Sequence, residues 1–158
     1  LKITKRKIRN VRLIVGGAGE LLDYYKDMAK SLGLEKNVKF TGYISEDEIT
    51  QYYDKCDVFV LPSIAKQEGF GIVLLEAMAC EKPVISTDIV GVSEDVKAKK
   101  AGIIVKRKDE RALAEAIIEI LKDKELAKEM GKNGRSLVKE KYTWEKVAEK
   151  IEDIYKKV

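Results

Sequence analysis

The chain has 158 residues, enough for one domain with a real hydrophobic core, and nothing in its composition marks a second. Its formal net charge is +4, with 31 Lys and Arg scattered among 27 Asp and Glu, so no basic block for nucleic acid stands out. No apolar run approaches the ~20 residues of a membrane span and no charged-then-apolar leader opens the chain, so a soluble, cytoplasmic domain is expected.

Short apolar runs alternate with longer helical patterns. Strands are expected at Val11 to Val15, Asn37 to Phe40, Val58 to Leu61, Pro83 to Ser86 and Gly102 to Val105. Helices are expected at Glu20 to Leu32, Ser45 to Lys55, Gly71 to Cys80, Ser93 to Lys99 and Asp109 to Leu121. Gly33 would stop the first of these, Ser45 with Glu48 has the pattern of a capping box, and Asp109 stands where an N-cap should open the last. The chain then turns wholly helical: Leu126 to Lys141, broken near Gly131 and Gly134, and Trp144 to Tyr155, with Trp144, Val147, Ile151 and Ile154 on one face. This succession predicts an α/β, Rossmann-like fold, a parallel sheet with helices on both faces and strands buried on both sides. The opening Leu1 in place of a methionine is expected of a piece of something longer.

Histidine is absent, which removes the side chain most often used for proton transfer near neutral pH. Cys56 and Cys80 are far apart, lie in apolar sequence and lack partners at metal-ligand spacing, so they read as reduced core thiols. The abundance of Lys and Glu is a bias of thermophilic proteins.

In an open parallel sheet, ligands bind beyond the carboxyl ends of the strands, which directs attention to four loops. The first, Gly16-Gly17-Ala18-Gly19-Glu20, offers a tight turn or a phosphate cradle, but Leu22 stands where a dinucleotide fingerprint needs its third glycine. The second, Thr41 to Ser45, either presents backbone groups to the edge of a flat base or is an ordinary connection. The third runs from Pro62 to Gly71; there Gly69 and Gly71 admit close backbone approach, and free amides near Phe70 to Val73 suit a phosphate at a helix start. Gly91 and Glu94 flank the helix entry in the fourth, Thr87 to Glu94.

One charge is out of place. From Phe70 to Cys80 every residue but Glu76 is apolar or glycine, so this helix is expected to be buried on all sides. A carboxylate there needs a hydrogen-bonding partner: ligand hydroxyls, a lysine or a backbone amide. Glu76 stands about 7 to 8 Å along the helix from Gly71, within reach of a ligand whose diphosphate sits at the helix start. Glu68 lies in the turn before it, where chemistry alone favours a solvated charge.

Pro62-Ser63, then Glu68-Gly-Phe-Gly, Glu76-Ala-Met-Ala, Lys82-Pro-Val-Ile and Gly91-Val-Ser-Glu94 occur in order. This succession resembles the nucleotide-sugar-binding, carboxyl-terminal half of retaining GT-B glycosyltransferases of the group 1, family 4 type. Two glutamates separated by seven residues are that family's EX7E signature, and the likeness runs from about Leu13 to Ile120. The resemblance implies transfer of a hexose from a nucleotide-sugar donor to an acceptor, with retention and with neither metal nor cofactor. It gives Glu76 the donor ribose and makes Glu68 the catalytic residue, near the reacting sugar carbon. Phe70, Gly71, Ile72 and Val73 would offer amides to sugar and diphosphate, Tyr43 and Ile44 would lie by the base, and Gly16 and Gly17 by the phosphates or acceptor side. It also implies partners in cis, since the acceptor-binding amino-terminal domain and an opening strand, central in the order 3-2-1-4-5-6, should precede Leu1. The chain alone would then transfer nothing, and the full-length protein is compatible with peripheral membrane association. Glu81 and Val90 depart from the family pattern, each standing where glycine is usual or frequent. A non-catalytic sugar-nucleotide-binding module and half of a sugar-nucleotide epimerase are the alternatives.

Overall fold

A computed structural model describes residues 1–65 and 69–156, which divide into two compact units, Leu1–Tyr52 and the remainder from Tyr53. The first unit contains α1 (Lys2–Lys5), β1 (Leu13–Gly16), α2 (Leu22–Ser31), a 3-10 turn (Glu35–Asn37), β2 (Val38–Gly42) and most of α3 (Glu46–Lys55). Strands β1 and β2 pair in parallel, Leu13 opposite Val38, with an irregularity at Gly16, which faces Gly42. The Asn37 side-chain amide donates to the Val11 carbonyl at 2.8 Å and fixes the 3-10 turn beside the strand entry. Gly33 ends α2 with φ 65°, the left-handed conformation expected of it.

The second unit holds the end of α3, then β3 (Phe59–Leu61), α4 (Ile72–Ala79), β4 (Val84–Thr87), α5 (Ser93–Ala98) and β5 (Gly102–Val105). It closes with α6 (Glu110–Lys122), α7 (Lys124–Lys141) and α8 (Trp144–Tyr155). Its sheet is parallel in the order β3-β4-β5. Central β4 is buried at all four positions, as its Val-Ile-Ser-Thr sequence between two neighbours requires. Ile85 and Val105 pack on Ala116 and Ile120 of α6, while Leu74, Ala77 and Met78 of α4 are fully buried. Each large side chain removed from water in this way contributes about 1.5–3 kcal/mol.

Of the two caps expected from the sequence, one forms as expected and one in altered form. Asp109 caps α6 by accepting from the Ala112 amide at 2.9 Å. The Ser45 hydroxyl donates to the Glu48 carboxylate at 2.9 Å, so this pair closes through its side chains instead of reaching back to the backbone.

Other expectations need correction. The strands form two sheets, β1-β2 and β3-β4-β5, in place of one. Strand β1 is not buried on both faces: Leu13 is 38% and Ile14 43% exposed. Helix α4 is not buried all round either, since Ile72 at its start is 63% exposed. Helix α7 is continuous through Gly131 and Gly134, because both glycines are buried where neighbours come very close. A Cβ on Gly131 would lie 2.0 Å from the Glu81 carbonyl oxygen, and one on Gly134 2.8 Å from Met78 Cγ. These glycines admit close packing; they do not break the helix. Cys56 and Cys80 are free thiols but only half-buried.

Candidate functional site

The loops that follow β3 and β4 in the second unit are joined by direct bonds. Thr87 Oγ1 donates to the Ser63 carbonyl at 2.7 Å, and Ser93 Oγ donates to the Thr87 carbonyl at 2.8 Å. Further along, the Gly91 amide donates to the Gly69 carbonyl at 3.1 Å and the Val92 amide to the Phe70 carbonyl at 3.2 Å. A Cβ on Gly91 would come within 3.2 Å of the Gly69 oxygen and Phe70 Cα, so glycine is what allows the two backbones to meet.

This turn delivers the chain into α4. Gly71 is its N-cap, with φ 86° and ψ 48°, and a Cβ there would sit 2.5 Å from Val90 Cγ1. Both the left-handed backbone and the crowding call for glycine. Val90, where a glycine was the expected residue, is buried and fills the space over Gly71. Among the described residues no side chain caps this helix and no acid lies in its first turn, which leaves the Ile72 and Val73 amides available to an outside acceptor. Phe70 and Ile72 are exposed at its mouth, Val73 half-buried. A helix start for which no carboxylate or hydroxyl among the described residues competes suits a phosphate.

Glu76 follows a turn and a half later, half-buried, and its carboxylate accepts the Tyr53 hydroxyl at 2.7 Å. The partner is therefore a phenol on the last turn of α3, none of the partners the sequence suggested. Tyr53 is 5% exposed, packs its ring edge-on against Phe59 with centroids 5.4 Å apart, and has its pKa raised well above its ordinary 10.0, by burial first and by the bond to Glu76 second. It thus remains the proton donor at any physiological pH. One bond leaves most of the carboxylate's roughly four lone-pair positions open to further donors such as hydroxyls. Tyr53 was missed because it lies on a different helix from Glu76; its one sequence signal is an aromatic residue shortly before an apolar strand.

Of the remaining residues singled out from sequence, Gly16, Gly17, Tyr43 and Ile44 belong to the first unit. Gly16 packs under Ile44, whose Cδ1 would be 2.7 Å from a Cβ at that position, and the Gly17 amide donates to the Gly42 carbonyl at 2.8 Å. Tyr43 projects from the loop after β2, 78% exposed. Glu68 lies outside the described residues. Among the described residues, no group of His, Cys, Asp or Glu could hold a metal ion, and no helix is long and apolar enough to cross a membrane.

The family described as "Glycosyl transferases group 1" matches residues 1–137. An uncharacterized glycosyltransferase of Methanocaldococcus jannaschii is 34% identical over 98% of this chain and 39% of its own length. The solved carboxyl-terminal domain of the group 1 glycosyl transferase family protein LpcC from Francisella tularensis superposes with a TM-score of 0.78 at 30% identity, covering 90% of this chain and 75% of that one. HepE from Anabaena, solved in complex with UDP, gives a TM-score of 0.84 at 25% identity over 99% of this chain and 44% of that one. The chain spans about two fifths of the length of the curated relatives it matches. Parallel sheets flanked by helices are the α/β Rossmann-like arrangement of the carboxyl-terminal half of a GT-B enzyme. With this fold and a family match over residues 1–137, the chain belongs to the glycosyl transferases group 1 family.

Proposed function

We propose that this chain is the donor-binding half of a retaining, metal-independent glycosyltransferase that moves a hexose from a nucleoside diphosphate sugar to an acceptor. The observation that carries the reading is the pairing of the α4 start at Gly71, uncapped among the described residues, with the Glu76 carboxylate, oriented by Tyr53 and still able to accept. A diphosphate at the Ile72 and Val73 amides places the attached ribose along the helix toward Glu76, whose free lone pairs accept its hydroxyls. As the sugar–phosphate bond breaks, negative charge grows on the leaving diphosphate, and the first-turn amides with the helix dipole offset it. Phe70 and Gly71 border the sugar, Glu68 is its catalytic contact, Tyr43 and Ile44 flank the base, and Gly16 and Gly17 serve the phosphates or the acceptor side.

The relatives' greater length supports an acceptor domain and a further strand supplied by a longer protein, and apolar, exposed β1 supports that strand. The chain alone then binds donor and transfers nothing.

The test is thermal protection of the chain by UDP, GDP and ADP, with and without Glu76→Ala. At least one nucleotide should raise the wild-type midpoint, and Glu76→Ala should abolish the rise. Equal protection of the two proteins would sink the ribose assignment. In a chain that includes the acceptor domain, retention is read from the anomeric configuration of the product.

A further inference from the structure

The Gly69–Gly71 turn is held from two directions, both distant from it in sequence. From the α5 side, the Gly91 and Val92 amides bind the Gly69 and Phe70 carbonyls. From the other, the Phe70 ring meets the Tyr142 ring edge-on, centroids 5.6 Å apart and planes inclined at 68°. Tyr142 is the C-cap residue of α7, seventy-two positions beyond Phe70 in this numbering. Its hydroxyl donates to Asp95 on α5, whose carboxylate also accepts the Lys141 ammonium at 2.6 Å, and the Lys150 ammonium stands 6.0 Å from the ring centre. The ring is therefore not free to rotate away. Asp95 lies three residues after Val92, so a single short segment, 91 to 95, grips the turn twice: directly by backbone and indirectly through the Tyr142 ring.

We propose that Tyr142, anchored by Asp95, is a positioning residue that holds the Phe70 turn so that the first amides of α4 face the donor diphosphate. The Phe70 backbone leads directly into the Gly71 cap, so rotation about the turn swings the Ile72 and Val73 amides. An edge-on aromatic pair resists that rotation while leaving the amides uncovered, which a side-chain cap on the helix would not do. The inference rests on the donor-site reading for what the turn serves, but not for what holds it.

Two measurements on the 158-residue chain separate these parts, using Tyr142→Ala, Tyr142→Phe and the wild type. Amide exchange is followed at Gly91 and Val92, whose bonds report the turn, and at Ile85 and Ser86 of β4, which report global opening. Tyr142→Ala should speed exchange at Gly91 and Val92 by ~10-fold with β4 unchanged, and Tyr142→Phe, which keeps the ring, should restore most of the protection. Unchanged exchange at Gly91 and Val92, or acceleration shared equally by β4, overturns the positioning role whatever the ligand result. Titration with UDP, GDP and ADP then asks what the turn is for. Tyr142→Ala should weaken whichever of them the wild type binds by ~10-fold, with Tyr142→Phe between the two. Undiminished affinity in a loosened turn overturns its link to the diphosphate, and a wild type that binds none of the three nucleotides counts against the donor site while the exchange result still decides Tyr142.

Discussion

The Thr4 hydroxyl is fully buried and, among the described residues, its oxygen alone combines deep burial with no hydrogen-bond partner. An unmade bond at a buried hydroxyl costs about 1–3 kcal/mol, whereas valine keeps the shape and removes the polar atom. Thr4→Val should therefore raise stability by about 1 kcal/mol, read as a higher denaturation midpoint at unchanged slope; a lower midpoint would mean that the hydroxyl is satisfied. Glu76 presents the opposite case, a polar group that is met. The apolar run around it made this carboxylate legible as an anomaly needing a partner, but Tyr53 lies 23 positions away on another helix and no local pattern joins them. Glu81 shows a third kind of legibility. The family pattern puts glycine there, and the chain does adopt φ 57°, a conformation that costs an L-residue about 1–2 kcal/mol, while the Glu81 side chain pairs with Arg135 at 3.0 Å.

At the level of elements, the helix and strand periods predicted every strand and nearly every helix to within one or two residues, because the apolar spacing that selects an element also buries it. The failure at α7 is instructive. Glycine lowers helix propensity, so Gly131 and Gly134 read as breaks; in the fold they let α4 and α7 approach, information that exists only once the helices are paired. The two effects predict opposite signs for Gly131→Ala. Propensity would favour alanine by about 1 kcal/mol, but a Cβ 2.0 Å from the Glu81 carbonyl forces backbone apart. Backbone collision wins, and Gly131→Ala should destabilise by about 1–3 kcal/mol in chemical unfolding; a stabilised variant would show that the contact is loose. Helices α5 and α7 are also joined through Asp95, whose pKa is lowered from its ordinary 3.8, chiefly by the bond from Lys141 and then by that from Tyr142. A carboxylate with a depressed folded pKa adds stability above its unfolded pKa and loses it as pH falls through the folded one. Asp95→Asn should thus melt lower than wild type at neutral pH, and the gap should close as the pH drops below 3.8. A gap that persists in acid would assign the effect to packing instead.

Over the whole molecule, burial is distributed unequally between the two units. Among the described residues the first unit buries Val11, Ala29 and Leu34 as its apolar core, around a two-stranded sheet. The second buries most of the rest, including every position of β4 and fully enclosed Leu74, Met78, Ile120 and Leu137. A two-stranded sheet with so little apolar cover is marginal on its own, while a three-stranded sheet sealed by helices is not. The apolar sequence of β1 misled for the same reason: it reads as a strand buried on both faces, yet among the described residues β2 is its one ladder partner and Leu13 and Ile14 stay exposed. Stability should therefore be graded along the chain. In native-state amide exchange, the Lys39 and Phe40 amides of β2 should open with a free energy several kcal/mol below that of Ile85 and Ser86 in β4. Added denaturant should bring the first unit's amides to exchange through sub-global opening while those of β4 still wait for global unfolding. If both sets open with the same free energy and the same denaturant dependence, the two units unfold as one cooperative body and unequal burial does not set the order of opening.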